Sequence, residues 1–152
     1  MNSYYNSAQA EIYGSEVYPE IKGYAKFTAT RKGTLVTVAV SGLPYDAGAC
    51  ADRFFAMHIH GGGLCTGNKK DPFANAETHY NPGGCPHPAH AGDMPPLLSV
   101  KGRAAMTFLT DNFTPDEIIG KTIVIHSDAD DFTTQPSGNS GTKIACGEIM
   151  EM

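Results

Sequence analysis

The chain has 152 residues, enough for one domain with a sizeable apolar core. Eleven basic residues against 16 acidic ones leave a net charge of −5, which argues against nucleic acid as a partner. No apolar stretch approaches the length of a membrane span, and 17 glycines with 10 prolines favour turns over long helices.

Residues 1–7 are polar and read as a loose tail. The start, MNSYYNSAQAEIYG, lacks the basic opening and apolar core of a secretion signal. That suits a cytoplasmic or already trimmed chain. The four cysteines instead suit an oxidising compartment, so the compartment stays open.

Ala8–Tyr13 is a strand candidate. Tyr24–Arg31 alternates, Lys32-Gly33 reads as a turn, and Thr34–Val40 (TLVTVAV) is β-branched throughout its middle, so these runs predict a hairpin. A polar excursion at 45–53 carries Cys50 and leads into a strand over Phe54–His60 (FFAMHIH). The stretch 61–96 has neither helical nor strand period, and a loop that long is usually functional. RAAMTFLT (103–110) is strand-like. Thr114-Pro115-Asp116-Glu117 has the form of a capping box with proline at the first helical position, ended by Gly120. Strands over Lys121–His126 and Lys143–Met150 flank a second polar loop, 127–142. The expected fold is one all-β domain over 1–152, a flattened barrel or sandwich with two long functional loops.

Chemistry concentrates in the first loop. Residues 58–93 hold five of the six histidines, and His126 ends the run TIVIH. His58 and His60 are two apart on a strand, so both project from one face and can meet at one ion, with His126 as a third imidazole. His87-Pro88-Ala89-His90-Ala91-Gly92-Asp93 is kept from helix by Pro86 and Pro88. Its two histidines and carboxylate, with His79 nearby, form an N₃O set suited to tetrahedral zinc. The imidazole-only set suits copper or zinc. No nucleophile triad competes, and Gly61-Gly62-Gly63 lacks the following Lys-Ser/Thr of a phosphate loop.

Taken together, HIHGGGLC (58–65), HYNP (79–82), H-x2-H-x-GD (87–93), IVIHSDADD (123–131) and GNSGTKIACG (138–147) resemble the copper,zinc superoxide dismutase family, bacterial branch. The family is itself a standard example of the sandwich architecture, so the resemblance brings a Greek-key eight-stranded barrel of immunoglobulin-like type with it. It implies copper bound by His58, His60, His79 and His126, and zinc by His79, His87, His90 and Asp93. His79 becomes a shared bridge that also carries a proton. Asp130 is implied as the carboxylate orienting His58 and His87, and Cys65–Cys146 as a disulfide. The implied reaction converts superoxide to dioxygen and hydrogen peroxide by alternate reduction and oxidation of copper. A non-catalytic copper- or zinc-binding protein on the same fold is the alternative, and a homodimer is an assembly the resemblance allows.

Several positions depart from the family. Lys143 stands where arginine is usual, so a cation remains for the anion but the planar fork is lost. Ser137 is expected as a small polar gate beside it. Only Pro88 and Ala89 separate His87 from His90, and Thr and Ser replace some charged guides in 127–142. Glu77-Thr78 precede His79 where glycines are common. Cys50 and Cys85 are left over and are expected to form a second disulfide.

Overall fold

The computed structural model describes residues 7–152. The anticipated loose tail therefore lies outside the described residues, except Ser7, which already pairs with Thr28. Strands β1 (Ser7–Gly14), β2 (Lys22–Thr30) and β3 (Gly33–Ser41) form an antiparallel meander, and β3 pairs onward with β7 (Ala104–Thr110). Period-two alternation explains it: Ile12, Phe27, Val36 and Val38 face inward while Glu11, Lys26 and Thr37 face water.

The second half of the sheet runs β5 (Met57–His60), β8 (Thr122–His126) and β9 (Lys143–Glu148), and joins the first where Tyr13 and Gly14 of β1 meet Cys146 and Ala145 of β9. A two-stranded pair, β4 (Phe54–Phe55) with β6 (Leu97–Leu98), runs on from β5. The curled antiparallel sheet with its non-sequential β3–β7 neighbours is the expected Greek-key barrel. Met57, Ile59, Ile123, Ile125 and Ile144 fill its interior.

Two strands are broken where the sequence suggested continuity. Phe54–His60 splits at Ala56, because its amide donates to the Asp128 carbonyl and its carbonyl accepts from the His126 amide. Lys143–Met150 splits at Ile149, whose backbone bonds Gly120 and Lys121 while its side chain enters the core. A short strand, β10 (Met150–Glu151), then pairs with β1. The anticipated capping box is present at helix α1 (Pro115–Ile118).

The long loop is not structureless. It holds a 3-10 turn, Ala74–Ala76, and lies along the free edge of β5 through the bridges His58–Asp93 and His60–His79. The Ile59 amide donates to Gly92, and the Tyr80 amide donates to Ile59. A disulfide, Cys65–Cys146, ties the loop to β9, with Phe73, Ala76 and Val124 packed beside it.

Candidate metal centre

β5 is buried on both faces. Met57 and Ile59 enter the core, so strand alternation turns His58 and His60 to the opposite side, beneath the two long loops. β8 brings His126 alongside, and a register shift at Ile125/His126 sets His126 opposite Lys143 of β9. One donor atom each from His58, His60, His79 and His126 lies within 4.8 Å of the others; a second group joins His58, His79, His87 and Asp93. His58 and His79 are common to both. The six histidines are all buried.

Neighbours fix which nitrogen each ring turns inward. His58 Nε2–H donates to Asp130 Oδ2 (2.8 Å) and His87 Nε2–H to Asp130 Oδ1 (2.8 Å), leaving both Nδ1 atoms with free lone pairs. His60 Nδ1–H donates to the Glu77 carbonyl (2.8 Å), so its Nε2 faces His126 Nε2 at 3.2 Å. His58 Nδ1, His79 Nε2 and His87 Nδ1 are buried without a hydrogen-bond partner. Such orphaned atoms cost free energy unless something binds them.

The second group has the dimensions of a zinc cage. His79 Nδ1 lies 3.0 Å from Asp93 Oδ1 and 3.1 Å from His90 Nδ1; Asp93 Oδ2 lies 3.0 Å from His87 Nδ1 and 3.4 Å from His90 Nδ1. Four donors at about 2.0 Å from a tetrahedral ion sit about 3.3 Å apart. His90 therefore closes this set more directly than His58, whose Nδ1 points to the imidazole-only group. That group offers four imidazoles and no carboxylate, the donor chemistry that accepts copper. Both donor sets fit the ions the sequence implied.

Burial is the main reason that His58 is pushed down to about 4 and His60 to about 3, with neighbouring His79 adding to both. Burial also holds His126 well below its usual range, with His58 and His60 adding to it. Burial alone would raise Asp130 and Asp93. Hydrogen bonds from His58 and His87 outweigh it at Asp130, and those from His79 and the His90 amide do so at Asp93. In the metal-free protein the unfolded chain therefore binds more protons than the folded one below about pH 6.5. Stability falls as pH drops from 6.5 toward 3, by up to about 1.4 kcal/mol per pH unit for each such histidine. Urea titrations of metal-free protein between pH 7 and 4 will measure this slope; a flat profile contradicts it.

Other anticipated residues are placed as follows. Lys143 and Ser137 line a cleft of ≈ 530 Å³ that reaches His60, His79 and His126. Cys50 and Cys85 are free, exposed thiols, so the second disulfide is not formed. The reason is local: Asn81 bonds both the amide and the carbonyl of Cys85, and the Cys85 thiol turns back to the Gly83 carbonyl. Three further residues support the site. Gln135 clasps the His87 backbone with both ends of its amide. Gly138, at φ +75°, leaves room for the Asp130–His87 bond, which a Cβ would strike. Glu77, at φ 62°, adopts a conformation natural to glycine, and its carbonyl fixes the His60 ring. Gln135 carries no sequence signal, because its partner is 48 residues away.

The family model described as "Copper/zinc superoxide dismutase (SODC)" matches residues 21–149. The chain is 34% identical to "Superoxide dismutase [Cu-Zn] 2" of Aquifex aeolicus (strain VF5), over 93% of this chain and 85% of that one. It is 34% identical to "Superoxide dismutase [Cu-Zn]" of Deinococcus radiodurans, over 84% and 76%. In structure it resembles "Cu/Zn superoxide dismutase from Brucella abortus", with a TM-score of 0.78 at 23% identity, covering 93% of this chain and 98% of that chain. This last likeness concerns the fold.

Proposed function

This chain belongs to the copper/zinc superoxide dismutase family, and on that premise we propose how its own residues divide the work of converting superoxide to dioxygen and hydrogen peroxide. His58, His60, His79 and His126 would hold copper, and His79, His87, His90 and Asp93 would hold zinc. The observation that carries the reading is His79. Its Nδ1 sits among the carboxylate-containing donors, while its Nε2 is buried, unpaired and turned to the other group. Copper held there would supply a one-electron cycle, in which one superoxide is oxidised to dioxygen and a second is reduced and leaves with two protons as hydrogen peroxide.

The protein's part is placement and proton traffic. Asp130 fixes the ring orientation of one residue in each set. His79 Nε2 can hold a proton and hand it to the reduced anion, while its Nδ1 is held beside Asp93 and His90. The Lys143 ammonium offers the anion a cationic docking point on the cleft wall, and Ser137 lines the cleft beside it. A homodimer, which the resemblance allows, fits the same reading; Tyr24, Leu98 and Val100, each at least half exposed, offer apolar surface for it.

The test is a superoxide-decay assay on protein loaded with both metals, with His126→Ala as control. We expect the wild type to accelerate decay and the variant to lose at least about 100-fold, since removal of one metal ligand removes the redox centre. Decay that ignores the substitution, or a fully loaded wild type without activity, defeats the proposal.

A further inference from the structure

Lys143 is not a free cation. Its Nζ donates to Asp71 Oδ2 at 2.7 Å and to the Phe73 carbonyl at 3.2 Å. Two of its three N–H donors are thus spent on one wall of the cleft. Asp71 is itself held rigidly. Its Oδ1 accepts from the Phe73 amide, its amide donates to Asn68 Oδ1, and its carbonyl accepts from the Asn68 and Ala74 amides. Among the charged side chains lining the cleft, the cations Lys70 and Lys143 are matched by the anions Asp71 and Glu77. Counted together, these four side chains give the entrance no net positive charge.

We propose that Asp71 is a positioning residue for anion entry: it anchors the Lys143 ammonium in the cleft wall and cancels its long-range field. Docking then depends on where the ammonium is, not on how strongly the cleft attracts. This rests on the functional reading above. It also gives a physical reason for tolerating lysine here. A lysine stem has several rotamers and no preorganised fork, and a rigid carboxylate partner supplies the placement that the side chain lacks.

Two variants separate placement from charge. Asp71→Asn keeps an oxygen for the ammonium and removes the charge; Asp71→Ala removes both. The first readout is nitrogen-detected NMR of the Lys143 ammonium in metal-free protein, assigned with Lys143→Arg. The resonance should persist in the wild type and exchange-broaden away in Asp71→Ala. The second is a visible-spectrum titration of metal-loaded protein with azide, a monovalent anion that ligates copper. Removing one unit charge from a solvated wall should tighten azide binding in Asp71→Asn by about three- to tenfold at low salt. That gain should fade near 1 M salt, where screening acts within about 3 Å.

An ammonium signal unchanged in Asp71→Ala overturns the anchor, whatever the metals do. Azide affinity that is unchanged or weaker in Asp71→Asn overturns the charge cancellation. Failure of the functional reading looks different: no azide-sensitive copper spectrum in any protein, wild type included, while the ammonium signal still reports the anchor. That result removes the docking role along with the reading beneath it.

Discussion

Asp130→Ala should weaken binding of both metals at once, by about 10- to 100-fold each. One carboxylate serves both donor groups, its two oxygens accepting from His58 Nε2–H and His87 Nε2–H at 2.8 Å. Without it, two buried N–H groups lose their partner at about 1–3 kcal/mol each. The rings also lose what commits Nδ1 to the metal. Asp130→Asn should be uneven, because an amide has one oxygen to offer and its NH₂ opposes the second ring. Competition against chelators of known affinity, run separately for copper and zinc, measures both effects. Unaltered affinity for the two ions in Asp130→Ala would show that the rings are oriented by packing alone.

Loss of the Cys65–Cys146 disulfide should be the largest single loss of stability. The bridge spans 81 residues, for which the chain-entropy estimate is about 4.5 kcal/mol. Domains of this size have only about 5–15 kcal/mol in all. The bridge, with Phe73, Ala76 and Val124, pins the loop that bears Asp71, Glu77 and His79. Cys146→Ala should therefore lower metal affinity as well as the urea midpoint. The measurement is urea unfolding of metal-free protein in a Cys50→Ser/Cys85→Ser background, which prevents exchange with the two exposed thiols. A stability difference below about 1 kcal/mol would contradict the role given to the bridge.

The strands were legible because alternation is a local property. Thr34–Val40 faces the core with every second residue and Tyr24–Arg31 with Ala25 and Phe27, and the structure moves each boundary by at most two residues. The capping box at Thr114 was legible for the same reason: its partners lie three residues apart. What failed locally was continuity. Ala56 and Ile149 turn their hydrogen bonds to segments distant in sequence, and no propensity marks that. The disulfide expected between Cys50 and Cys85 failed similarly, since a turn held by Asn81 decides where the Cys85 thiol points.

By itself the sequence determined which side chains could bind metal, because donor identity and the two-residue spacing of His58 and His60 are chemical facts of the chain. The barrel strands were determined too, since burial of one face follows from period two. Only the tertiary structure decided which nitrogen each ring presents, because that depends on Asp130 and the Glu77 carbonyl, 17 to 72 residues away. It also decided that Lys143 is held by Asp71, 72 residues away. Hydrogen bonds across such separations form only once the loops lie down on the sheet, and no local pattern in the chain records them.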